Sequence, residues 1–145
     1  MVLNMLFRVI ISSLIIKGGY MGLDMNAYKT KFQPDSQIDF RVPQDEETEE
    51  LYYWRKHPNL HGWMNALYES KGGKEEFNCV NVQLTLEDLE KLKEDLVNDT
   101  LPSTSGFFFG KSFGGEEEKK HDLVFIDLAK EAIEDGYTVY YTSWW

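Results

Sequence analysis

Cysteine is nearly absent from this chain, with Cys79 alone among 145 residues. A lone thiol excludes an internal disulfide framework and a zinc site built from cysteines, and it suits a reducing compartment, so the cytoplasm is the expected location. Cations are scarce too: 15 lysines and arginines stand against 25 aspartates and glutamates, a net charge of -10. That balance argues against non-specific binding to nucleic acid or to an anionic membrane. It leaves room for a basic protein partner or for a surface that imitates DNA, although mimicry needs carboxylates spread in two rows and these cluster at 45–50 and 116–118. A long apolar run is also missing. Residues 6–16 are apolar but carry Arg8 and two serines, and they are too few for a membrane span, which needs roughly 20. What remains is ordinary core material, 42% hydrophobic and 14% aromatic, enough for one globular domain.

Residues 1–20 read as a mistranslated leader. Lys17-Gly18-Gly19-Tyr20 can be encoded as AAA GGA GGT TAT, which contains a ribosome-binding sequence directly before Met21. A secretory signal is the competing reading, but this stretch offers no small-residue cleavage site. Without residues 1–20 the chain loses Arg8 and Lys17 and no acid, leaving 13 cations against 25 acids and a net charge of -12 over residues 21–145.

Alternation of Leu23, Met25 and Ala27 with polar neighbours predicts a half-buried strand, and Ile38, Phe40 and Val42 repeat the pattern. With a Gln33-Pro34-Asp35-Ser36 turn between them, the two read as a hairpin. The acidic run at 45–50 is expected to open a helical region, where negative charge suits the N-terminus. Val80, Val82 and Leu84 predict another strand. Thr85 and Asp88 then resemble a capping box before a helix with Leu86, Leu89, Leu92 and Leu96 on its apolar side. Gly106-Phe107-Phe108-Phe109-Gly110 fits a short strand covered on both faces, and residues 114–120 a charged loop. His121 or Asp122 is then expected to cap a helix ending at Asp135, with Gly136 in the C′ position. Residues 137–145 alternate again as a closing strand. The expectation is a single small α+β domain over residues 21–145: a mostly antiparallel sheet of about four to five strands with three to four helices packed on it, and Phe108, Leu60, Leu89 and Trp54 in its core.

Residues 52–63 hold half the tryptophans and two of the three histidines. At about 100° per residue, Tyr53, His57, Leu60, Met64 and Leu67 fall on one helical face, flanked by Trp54, His61, Trp63 and Tyr68, while Arg55 points away. Pro58 disfavours helical geometry at His57, so either the helix kinks there or Pro58 begins a second one. Candidate binding residues are Asp24, Tyr53, Trp54, Arg55, Lys56, His61 and Trp63, since cations and imidazoles beside aromatic faces can hold an anion, a nucleotide or an acidic group. The plainer expectation has His61 packed against the sheet and bonded through one ring nitrogen. Arg55 then acts separately at the surface or pairs with an acid of residues 45–50.

Catalytic signals are weak. His57 and His61 have the spacing of a helical metal pair, but no glutamate follows His57 and Pro58 intervenes; no metal or cofactor is assigned. There is no phosphate-binding glycine loop and no Gly-x-Ser-x-Gly elbow, and Cys79 has no local base, so no catalytic residue is named. Asp24 with Glu47, Glu49 or Glu50 can supply acid–base carboxylates, but their convergence is not legible.

The sequence resembles a family of small uncharacterised proteins of tailed phages, especially marine ones, that begin Met-Gly-Leu-Asp-Met. The matching residues are Met21-Gly22-Leu23-Asp24-Met25, Tyr53-Trp54-Arg55-Lys56, Leu60-His61-Gly62-Trp63, Leu84-Thr85, residues 105–110 and the end from Val139 to Trp145. Members are often labelled phosphoglycerate kinase, a two-domain enzyme for which this chain is far too short. The resemblance implies a phage protein working in the cytoplasm of an infected host cell, and it names no reaction or ligand. The acidic charge, the aromatic surplus and the absence of a catalytic motif point to an accessory protein that is a non-catalytic binding module for a host or phage macromolecule. The alternative is a small enzyme or ligand-binding protein that grips a phosphorylated metabolite or nucleotide with Arg55, Lys56 and His61.

Overall fold

The computed structural model describes residues 22–104 and 115–145. Over these the chain is one α+β domain, a four-stranded antiparallel sheet with three helices. The strands are β1 (Asp24–Thr30), β2 (Thr48–Arg55), β3 (Val82–Leu84) and β4 (Thr138–Trp144), and the helices are α1 (Pro58–Ser70), α2 (Leu86–Val97) and α3 (Gly115–Glu134). The sheet order is β2-β1-β4-β3, so the first and last strands lie in the middle and β2 is an edge.

The alternation read in β1 has the expected effect. Met25 and Ala27 are fully buried while Asp24, Asn26 and Tyr28 turn to the other face. Opposite them, Val139 and Tyr141 of β4 and Val82 and Leu84 of β3 join Leu60 and Met64 of α1, Leu89 and Leu92 of α2, and Phe125 and Ile126 of α3 in one buried cluster. Leu60, Leu89 and Trp54 are core residues as expected; Phe108 and its aromatic run lie outside the described residues. The capping box forms, with Asp88 N–H donating to Thr85 Oγ1 at 3.1 Å and Thr85 N–H to Asp88 Oδ2 at 2.9 Å. Gly136 takes φ +91°, and Gly136 N–H and Tyr137 N–H reach back to Ile133 and Ala132, the paired bonds of a Schellman motif.

Three expectations need correction. Residues 38–42 do not form a hairpin with β1. Both edges of β1 are occupied, by β2 and β4, so Ile38 makes only an isolated bridge to Val82, and Asp39, at φ 55°, breaks the extended backbone. The acidic run does not open a helix but leads into β2, whose Glu49 pairs with Lys29 on β1. Pro58 accounts for the change: it supplies no N–H to a helix coming from Trp54, but it fits the first position of one starting there. Of the two readings left open at Pro58, a new helix beginning there is the one found, preceded by a strand in place of a first helix. Finally, Glu116 to Lys120 belong to α3, so neither His121 nor Asp122 caps it. Glu116, Glu117 and Glu118 occupy its first turn, where the helix dipole favours carboxylates.

Candidate functional site

β2 and the first turns of α3 are held together by a buried polar knot. A bulge in β2, where Ala27 opposes Tyr52 and Tyr28 opposes Glu50, sets the side-chain alternation beyond it. Tyr52 and Trp54 consequently face α3, with Trp54 edge-on to Phe125 at 4.8 Å between ring centroids. The chain leaves β2 through Lys56 in the left-handed region, φ 57°, with its N–H bonded to Leu23 O at 2.9 Å. This turn swings His57 inward as the N-cap residue of α1.

Asp122, 1% exposed, receives two donors there: Trp54 Nε1–H at 3.1 Å and His57 Nε2–H at 2.7 Å. Glu118 Oε2 lies 3.6 Å from the other nitrogen of His57. Just outside, Tyr52 OH shares a 3.0 Å hydrogen bond with His121 Nδ1. Burial, and secondarily the Asp122 charge, raises the Tyr52 pKa. Glu117, Glu118, His121 and Asp122 line one face of α3, the pattern that three- and four-residue spacings make.

An open cleft of about 720 Å³ runs along this junction, lined by residues 50–57 and by Glu117, Glu118, His121 and Asp122. A cleft on one sheet face would meet only alternate residues of a strand. Six consecutive residues of β2, 50–55, border this cleft, which fits an opening along the edge of that strand. Because antiparallel partners alternate between hydrogen-bonded and non-bonded pairs, and Lys56 N–H points to β1, the N–H and C=O of Tyr53 point away from β1, toward the cleft side.

The candidate residues divide into separate groups. Asp24, Tyr53 and Arg55 meet on the outer face: Tyr53 OH donates to Asp24 Oδ1 at 2.5 Å, and Arg55 Nη1 lies 3.7 Å from the same oxygen. Asp24 is the cross-strand neighbour of Arg55, where the sequence pointed instead to an acid of residues 45–50. Burial and the Asp24 carboxylate push the Tyr53 pKa up to about 12, although 47% of the residue is exposed. Lys56 lies beside Arg55 over Gly22, where an added Cβ would come 3.1 Å from Arg55 Nη2 and 3.5 Å from Lys56 Cε.

Trp54 and Trp63 are core braces, Trp63 Nε1–H donating to Asp95 Oδ2 at 2.8 Å. His61, 3% exposed, sits apart in the core, its Nδ1 2.7 Å from Tyr141 OH and its ring beside Phe77. Burial lowers its pKa to about 4, so it is neutral near pH 7. Arg55, Lys56 and His61 therefore do not assemble into one anion grip. Nor do His57 and His61 converge, and among the described residues no group of three His, Cys, Asp or Glu side chains is placed to hold a metal ion.

Sequence reasoning missed Tyr52, Glu117, Glu118, His121 and Asp122 as a group. The available signal was the spacing of the last four, visible only once residues 115–134 are read as one helix. Among the described residues no helix is long and apolar enough to cross a membrane. Comparison with protein-family models, curated proteins and solved structures gives no match to this chain.

Proposed function

We propose that the protein is a non-catalytic binding module that holds an extended segment of a host or phage protein along the edge of β2. One observation carries this: among the described residues β2 pairs in the sheet with β1, and the cleft beside it is lined by six of its residues in unbroken succession, 50–55. An edge strand of this kind is a template for strand addition, in which backbone hydrogen bonds give affinity and side-chain pockets give selectivity. The resemblance to small tailed-phage proteins supports an accessory role in infection. A catalytic reading draws less support, because the buried imidazole–carboxylate pair among the described residues, His57 with Asp122, is only 3% and 1% exposed at the base of the cleft and has a carboxylate near each ring nitrogen. The phosphorylated-metabolite reading needed His61 beside Arg55 and Lys56, and His61 is in the core.

Two substitutions at one position test the proposal. Tyr53→Pro removes an N–H on the cleft side without deleting a β1 bond, whereas Tyr53→Val removes only the side chain. Used as baits in extracts of infected cells, wild type and Tyr53→Val should retain a common partner that Tyr53→Pro loses. A partner retained equally by folded Tyr53→Pro refutes strand addition.

A further inference from the structure

We infer that the segment accepted by β2 is basic, an extended strand with lysine or arginine at alternate positions; this rests on the reading of β2 as a docking edge and adds the chemistry of what docks. Alternate residues of an incoming strand project to the same side about 6.4–6.8 Å apart. On the α3 side they enter the cleft between Tyr52 and the first turn of α3; the carboxylates lining that cleft include Glu50 and Glu117, the latter with 86% of its side chain exposed. Toward the beginning of β2 they approach Glu49, whose side chain is 72% exposed. Arg55 and Lys56 lie at the far end of the strand, and Arg55 has Asp24 beside it.

The field over most of the edge is therefore negative. A carboxylate-bearing strand would be repelled at both ends of the acidic stretch, whereas a cation meets carboxylates that stay hydrated until it arrives and give up little solvation. Tyr52 and Tyr53 add ring faces on which an ammonium or guanidinium can rest. The net charge of -10 attracts the same partner from a distance, and the backbone groups of β2 give that attraction a register.

Labelled ten-residue peptides of defined sequence test this with the full chain: alternating Lys-Thr, alternating Glu-Thr, uncharged Ser-Thr, and Lys-Thr with N-methyl groups along one backbone edge. Fluorescence anisotropy gives affinity, and amide exchange at Tyr53 reports strand addition. Lys-Thr should bind at least about tenfold tighter than Glu-Thr or Ser-Thr, equivalent to about 1.4 kcal/mol, and should protect the Tyr53 amide. Glu117→Lys should weaken it about fivefold, the worth of one favourable exposed pair. N-methylation should abolish it.

Equal binding of the N-methylated peptide would show loose polycation attraction and overturn both the basic strand and the docking edge. Ser-Thr or Glu-Thr binding as tightly as Lys-Thr, with Tyr53 protected, overturns the basic class and leaves the edge standing. No peptide protecting Tyr53 overturns both. A peptide-free dimer with the Tyr53 amide already protected makes a second copy the occupant and overturns the inference.

Discussion

Removing the Asp122 carboxylate should be among the most damaging single changes in the domain. Asp122→Ala leaves Trp54 Nε1–H and His57 Nε2–H, both in a buried setting, without their acceptor. Each orphaned donor costs about 1–3 kcal/mol, so a loss of about 2–6 kcal/mol is expected for the two together. Asp122→Asn separates hydrogen bonding from charge. Its amide oxygen can still accept from Trp54, and its NH2 can donate to His57 Nε2 if the imidazole proton moves to Nδ1, which faces Glu118 Oε2 at 3.6 Å. Asparagine should therefore cost about 1–2 kcal/mol, close to one neutral hydrogen bond. Urea unfolding followed by tryptophan fluorescence measures both, with an unchanged denaturant slope confirming that the unfolded states are comparable. A loss under about 1 kcal/mol for Asp122→Ala, on the scale of an ordinary surface change, would refute the view that this carboxylate ties α3 to β2. Equal losses for alanine and asparagine would refute the tautomer exchange.

Acid sensitivity should trace in part to His61. Its pKa falls from 6.5 to about 4 on folding, so the unfolded chain binds the extra proton between those values. The corresponding stability is present above pH 6.5 and is lost as pH falls toward 4, by up to about 3 kcal/mol. His61→Phe should flatten that segment of the stability–pH curve, while an unchanged slope rejects a neutral buried imidazole. At the start of α2, Thr85→Ala deletes the acceptor for Asp88 N–H and should cost about 1 kcal/mol in the same urea assay; no measurable loss argues against a populated cap.

Much of this architecture was legible locally. β1 shows in the alternation of its residues because one face is buried and the other is less so; β4 shows through its β-branched and aromatic residues, although Thr138 to Tyr141 are buried on both faces. Thr85, Asp88 and Gly136 announce helix ends because each satisfies backbone groups within a few residues of itself. β2 was not legible for a physical reason. Its residues 52–55 fit a helical projection with the residues that follow, and only pairing with β1 makes the extended form the better solution. The same holds for residues 38–42, whose alternation matches a strand but for which β1 has no vacant edge. The candidate site follows this division. Tyr53, Arg55 and Asp24 could each be picked out by residue type, and β1–β2 register alone brings them together. His61 was legible as an imidazole packed on the sheet and bonded through one ring nitrogen, and its burial beside Tyr141 and Phe77 separates it from the other candidate binding residues. Asp122 carried no sequence signal as an acceptor for His57 and Trp54, because a contact across 65 or 68 residues is created by the packing of α3 on β2 and by nothing near it in the chain. Local sequence determined where elements begin, end and turn an apolar face. Tertiary structure decided which strand lies at the margin of the described sheet and which polar groups were enclosed, since both depend on partners that only folding brings within reach.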